Sequence, residues 1–124
     1  MLKERLRRIL SSPNLQDLRE GLEELVGRLI RRYNPRSVII AGSLAQGTFV
    51  RGMSDIDILI ITDNRPSKYE RFLLTAIKDV DVQVSVYSNE EIEDALRAGN
   101  QFIVDAINKG IEVYRRVEKD CEHQ

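Results

Sequence analysis

Apolar residues recur along the chain at two periods, and the places where the period changes mark the elements. Leu2, Leu6, Ile9 and Leu10 share one face of a short basic helix. Ser11-Ser12-Pro13-Asn14 interrupts it and leaves Asn14 as a helix cap. From Leu15 to Arg32 the steps are three and four, through Leu18, Leu22, Leu25, Val26, Leu29 and Ile30. That spacing predicts a long amphipathic helix, ended where Pro35 pushes Asn34 out of helical geometry. "SVIIAG", residues 37–42, is short, β-branched and wholly apolar, the pattern of a buried strand. "DIDILIIT", residues 55–62, predicts a second strand, with Ile56, Ile58 and Ile60 on one face and Asp55, Asp57 and Leu59 on the other.

Beyond the turn "DNRPS", Tyr69, Phe72, Leu73, Ala76 and Ile77 fall at helical spacing and predict a helix over Lys68 to Lys78. "DVDVQVSVY" alternates strictly. Val80, Val82, Val84 and Val86 face one way, and Asp79, Asp81, Gln83 and Ser85 the other. Ser88 and Glu91 form a capping box at the head of a helix that Gly99 ends. Asn100 caps a further helix, closed by Gly110, and "IEVYRR" is an edge strand. The class is α/β (α+β): a small mixed sheet of about four strands packed on helices, two layers over one core. The domain is single, 1–124, with N-terminal helices 1–33, a core at 37–87, C-terminal helices and an edge strand at 88–115, and a flexible tail at 116–124.

Composition narrows the function classes. A chain of 124 residues supports one core and not two. A net charge of −1 argues against holding nucleic acid by bulk charge. The exception is local: Met1 to Arg36 carries nine Lys/Arg against five Asp/Glu. A single cysteine, Cys121, excludes a disulfide framework and fits a reducing compartment. The first residues are too charged for a signal peptide, and no apolar run approaches the roughly 20 residues that span a bilayer. A cytoplasmic protein with no membrane association is expected. Cys121 and His123 have no neighbours in sequence that would make them metal ligands.

The chemistry gathers between residues 42 and 81. Asp55 and Asp57 are two apart on a strand, so their carboxylates share a face roughly 6 to 7 Å apart. Two charges at that range repel, and partial burial raises at least one pKa. A divalent cation between them removes both penalties, and Mg²⁺ takes hard oxygen ligands of this kind. Asp81 can join the pair if its strand lies beside theirs, with Asp79 a rival on the same face. Three such acids can hold two metals about 3.5 to 4 Å apart and support in-line phosphoryl displacement. Gly42 and Ser43 follow an apolar strand, where a close turn with exposed amides can hold phosphate. No P-loop and no dinucleotide fingerprint occurs. A lone D-x-D more often marks only a strand end or a solvated face.

The combination is more specific than its parts. Gly42-Ser43, eleven intervening residues, Asp55-Ile56-Asp57 and a later strand with Asp81 resemble the nucleotidyltransferase signature of the DNA polymerase beta superfamily. "GSLAQG", "SDIDILI" and "VDVQV" are similar, in order, to the minimal nucleotidyltransferases of prokaryotes. The resemblance covers Ser37 to Tyr114. It implies that Gly42 and Ser43 hold the triphosphate of a nucleotide, ATP by expectation. Asp55, Asp57 and Asp81 are implied as catalytic residues that bind two Mg²⁺ ions. The implied reaction passes a nucleoside monophosphate to a hydroxyl acceptor and releases pyrophosphate. Many such proteins act as antitoxins beside a helical HEPN partner, which makes a HEPN-type protein the expected partner and acceptor. Neutralisation by contact alone and transfer to a small molecule or an RNA end are the alternatives, and a homo-oligomer is compatible with each. The sequence departs at Gln46, where many of these proteins have arginine.

Overall fold

A computed structural model describes residues 2–117. Five helices, α1 (Leu2–Ile9), α2 (Arg19–Tyr33), α3 (Gly42–Gln46), α4 (Asn89–Arg97) and α5 (Gln101–Lys109), accompany five strands. The strands are β1 (Ser37–Ala41), β2 (Ile56–Thr62), β3 (Phe72–Ile77), β4 (Val80–Ser88) and β5 (Ile111–Arg115). They form one sheet in the order β3-β4-β2-β1-β5. β2 and β4 run parallel, and every other neighbouring pair is antiparallel. The expected mixed α/β class is present, with one strand more than anticipated.

The extra strand is β3. Residues 72–77 were expected to be helical, and they form instead the first arm of a hairpin with β4. Phe72-Leu73-Leu74-Thr75-Ala76-Ile77 is so nearly continuous in its apolar character that it satisfies a period of 3.6 and a period of 2 alike. Tertiary context decides between them. Leu73 and Ile77 pack towards the main core while Phe72, Leu74 and Ala76 are exposed, the alternation of a strand covered on one face. Lys78, at φ 54°, and Asp79 make the two-residue turn that joins Ile77 to its partner Val80.

The sheet also has helices on both faces, where two layers were expected. Ile58 and Ile60 of β2 point into a large cluster that takes Leu6 and Leu10 from the N-terminal segment and Leu22, Val26 and Leu29 from α2. Leu59 and Ile61 point the other way, into a smaller cluster with Ile92 of α4 and Ile103 and Ala106 of α5. Apolar residues at consecutive positions of one strand need two covers.

The helix ends follow local chemistry. Ser88 Oγ accepts from Glu91 N–H at 3.1 Å while the Glu91 carboxylate accepts from Ser88 N–H at 3.0 Å, the expected capping box. Asn100 caps α5 through Ile103 N–H. Asn14 does not cap α2. A 3₁₀ turn at Gln16–Leu18 intervenes, and Asn14 Oδ1 accepts from Ser12 Oγ. Gly110 closes α5 at φ −73°, open to any residue, so a glycine stands there for space rather than for a left-handed turn. A Cβ on it would come 2.6 Å from Ile39 Cγ2 and meet the Ala106 carbonyl oxygen well inside contact.

Arg116, placed in the tail by the sequence pattern, donates its N–H to Arg36 O at 2.9 Å and its guanidinium to Asp63 at 2.7 Å. The remainder of the tail, with Cys121 and His123, lies outside the described residues. Among the described residues no helix is long and apolar enough to cross a membrane. Gly110→Ala is expected to destabilise the fold by about 2 kcal/mol, since the nearest atom it meets, the Ala106 carbonyl oxygen, is backbone and cannot yield. Urea denaturation measures the change.

Candidate active site at the open end of the sheet

β1 delivers the chain to Gly42 at the end of the sheet, and Gly42, at φ +67°, turns it directly into α3. The expected glycine-rich loop is therefore a five-residue helix followed by a shorter loop. Glycine is required at 42 on two grounds. Its φ lies in the left-handed region, and a Cβ would stand 3.3 Å from Asp57 Cγ and closer still to Oδ2. The backbone of the Gly-Ser turn and the carboxylate of Asp57 are thus in direct apposition.

Asp57 enters from β2. In the sheet register it lies between Ala41 of β1 and Gln83 of β4, and Gln83 lies beside Leu74 of β3. Paired residues share a face, so these four form one row across the sheet. The helical layer of α4 and α5 packs on this same face and reaches Ala41 at the β1 end of the row, but on β2 it covers only Leu59 and Ile61. Asp57 is half-buried where that layer stops. Asp55, also half-buried, sits one residue before β2, and its Oδ2 accepts from Gln83 Nε2 at 2.8 Å.

Asp81 lies two residues before Gln83 on β4, on the same face, and is exposed. The structure therefore brings Asp55 and Asp57 together around Gln83 and aligns Asp81 with them. It does not gather the three acids, and among the described residues no group of three is close enough to hold a metal together.

Asp79, the rival third acid, is committed elsewhere. It sits in the β3–β4 turn and accepts from Arg51 at 2.5 and 3.3 Å. Arg51 also binds Asp17 at 2.6 and 3.1 Å and the carbonyl of Asn14 at 2.7 Å. Its hydrogen bonds hold the carboxyls of Asp17 and Asp79 below their usual range and raise the guanidinium's own pKa. This one side chain fastens the loop before Asp55 both to the N-terminal segment and to the hairpin. Ser54 tightens the same loop, its Oγ accepting from Val50 N–H at 2.9 Å.

Sequence reasoning missed Gln83 and Arg51 as parts of the site. Gln83 carried a signal, being polar on the acid-bearing face of an alternating strand. Arg51 carried none, because its partners are 34 and 28 positions away. Gln46 is exposed at the last position of α3.

Burial, and then the charge of Asp55, push the Asp57 carboxyl above its usual range. Neither Asp55 nor Asp57 has a cationic partner among the described residues. Hard oxygen donors in mutual repulsion beside a close backbone turn are a donor set that fits a divalent cation and the phosphates that accompany it. That combination, on a mixed sheet flanked by helices, defines a phosphate-handling class of domain. Residues 22–121, most of the chain, match the nucleotidyltransferase domain family, and the chain belongs to that family. Nucleotidyl transfer is accordingly its general activity. Comparison with curated proteins finds no match.

Two outcomes follow from the geometry around Asp57. Gly42→Ala is expected to cost about 1–2 kcal/mol from its left-handed φ alone and to displace the Asp57 carboxylate. Thermal unfolding reads the first effect, and the carboxyl NMR shift of Asp57 reads the second. Asp57→Asn is expected to stabilise the cation-free protein at neutral pH by a few degrees in Tm, on the order of 1 kcal/mol. The carboxyl ordinarily loses its proton near 3.8, and the folded protein holds that proton to higher pH. Between the two values the unfolded chain is the more ionised, so ionisation of Asp57 penalises folding increasingly as pH rises and fully at neutrality. The advantage of Asn should vanish below pH 3.8, which a Tm series across pH checks. A constant advantage at all pH values would show that the charge is not its cause.

Proposed function

We propose that this domain transfers AMP from ATP to a hydroxyl group of a partner protein, a HEPN-type toxin, in the manner of a minimal nucleotidyltransferase antitoxin. The observation that carries the reading is the apposition of Gly42 to Asp57, with Asp55 beside it, at the uncovered end of the sheet. Gly42 and Ser43 hold oxygens of the triphosphate. Asp55 and Asp57 would hold Mg²⁺, and Asp81, aligned on the same face but not gathered with them, would be the third ligand of a two-ion set. Mg²⁺ held there would supply Lewis-acid polarisation of the phosphate and charge neutralisation for the pyrophosphate leaving group. Gln83 fixes Asp55 through its amide. Asp81, exposed on the open face, takes the proton of the acceptor hydroxyl as that oxygen attacks the α-phosphorus and the bond to pyrophosphate breaks.

The acceptor has to approach across the open part of β3 and β4. Phe72 and Leu74 are 52% and 65% exposed there, beside the acidic row. An acidic and apolar approach favours a protein surface over an RNA end, whose phosphates it would repel. A second reading is a binding module that neutralises its partner by contact with little transfer. It is favoured by the ungathered position of Asp81 and by Gln46 in the place of an arginine.

Labelled ATP, Mg²⁺ and a co-encoded helical partner decide between the two. Transfer is expected to place label on the partner and to fall at least 100-fold, by order of magnitude, in Asp55→Ala and Asp57→Ala. ATP with Mg²⁺ should raise the Tm of the wild type and not of those variants. Tight partner binding without label or Tm shift establishes the binding module instead, and label that survives both substitutions removes the metal assignment.

A further inference from the structure

A cavity of about 720 Å³ opens between α1, the turn that follows it, and α3. Its floor is apolar, formed by Ile9, Leu15, Leu44, Phe49 and Ile111. Its rim carries Arg5 and Arg8, one helical turn apart on α1, with Ser11 and Ser12 beyond them. Among the described residues no acidic side chain lines it. The cavity is separate from the carboxylates. Leu15 and Leu44 belong to the core on the α1–α2 side of the sheet, whereas the row through Asp57 lies on the other face.

Both arginines have donors to offer. Arg5 gives one guanidinium N–H to the Glu112 carbonyl, and a guanidinium has five. Among the described residues Arg8 pairs only with Glu4, at 3.0 Å, and its side chain is 76% exposed. An ion pair so open to water contributes little and exchanges readily for a better anion. The volume falls within the range of small-molecule sites, and the lining is divided between the apolar floor and polar groups that include Asn14.

We propose that this cavity is a binding site for a small amphipathic anion, an alkyl chain ending in a carboxylate or a phosphate. The chain lies on the apolar floor and the anionic head meets Arg5 and Arg8. Arg5 and Arg8 are two of the nine basic residues in the first 36. The ligand also touches the catalytic end of the molecule indirectly. Leu44 and Ala45 line the cavity and belong to α3, the helix that begins at Gly42 against Asp57.

The test is independent of nucleotidyl transfer. The full chain, methyl-labelled at Ile, Leu and Val, is titrated with decanoate, decyl phosphate, decanol and inorganic phosphate, each below its aggregation limit. The expected result is saturable shifts at Ile9, Leu15, Leu44 and Ile111 with both anionic chains. Inorganic phosphate gives none, and decanol binds about tenfold more weakly or worse. The tighter of the two anions identifies the head group. Arg5→Ala with Arg8→Ala should bring both anions to the level of decanol. Arg8→Glu, which leaves the Arg5–Glu112 contact intact, should do the same if the double variant fails to fold. Equal affinity for decanol and both anions, shifts that do not saturate, or shifts confined to the exposed face of β3 around Leu74 would each overturn the proposal.

Discussion

β2 runs through the middle of the sheet with apolar side chains on both faces, and the other elements are arranged to cover it. Burying Ile58, Ile60, Leu59 and Ile61 together needs a neighbouring strand on each side and a helical layer above and below. Both layers are present, but the one formed by α4 and α5 reaches only the later residues of the strand. Charge can be placed on β2 only where that cover ends, at its first turn of backbone. The position of Asp55 and Asp57 is therefore set by where the second hydrophobic cluster stops.

This placement sets function against stability. A half-buried Asp57 beside Asp55 is an electrostatic burden on the folded chain, with Gln83 as a neutral donor and no cationic side chain paired to them among the described residues. Elsewhere the protein treats its acids differently. Asp17, Asp63 and Asp79 each meet arginine, and hydrogen bonds from those arginines keep their carboxyls ionised to lower pH. The contrast distinguishes acids that hold the chain together from acids kept without a counter-charge. Strain of this kind is expected where a site is built to receive a ligand.

Much of this was legible in the sequence because it is local. The capping box at Ser88 and Glu91, the cap at Asn100, the strict alternation of Val80 to Val86 and the β-branched run of β1 each signal through neighbouring residues alone. The spacing of Gly42, Asp55 and Asp57 led to the family for the same reason. What stayed hidden depends on distant partners. β3 reads equally well as a helix until β4 offers its edge. Asn14 has the chemistry of a cap, but its turn places it outside the helix. Arg51 looks like an ordinary loop arginine until Asp17 and Asp79 come within reach, and only then is Asp79 distinguished from Asp81. Gly110 had the right position and the wrong reason, because the crowding against Ile39 comes from another strand.

The pairing of β1 with β5 bears on how the chain is made. Ser37 finds its sheet partner in Arg115, so β1 lacks its outer neighbour until nearly the whole described sequence has been synthesised. During translation β1 and β2 can meet early while one flank stays bare, an apolar edge that could pair with another chain. Closure by a distant, late strand is a slow step by topology. A chaperone or a co-synthesised binding partner acting before β5 arrives would therefore engage a species quite different from the finished domain.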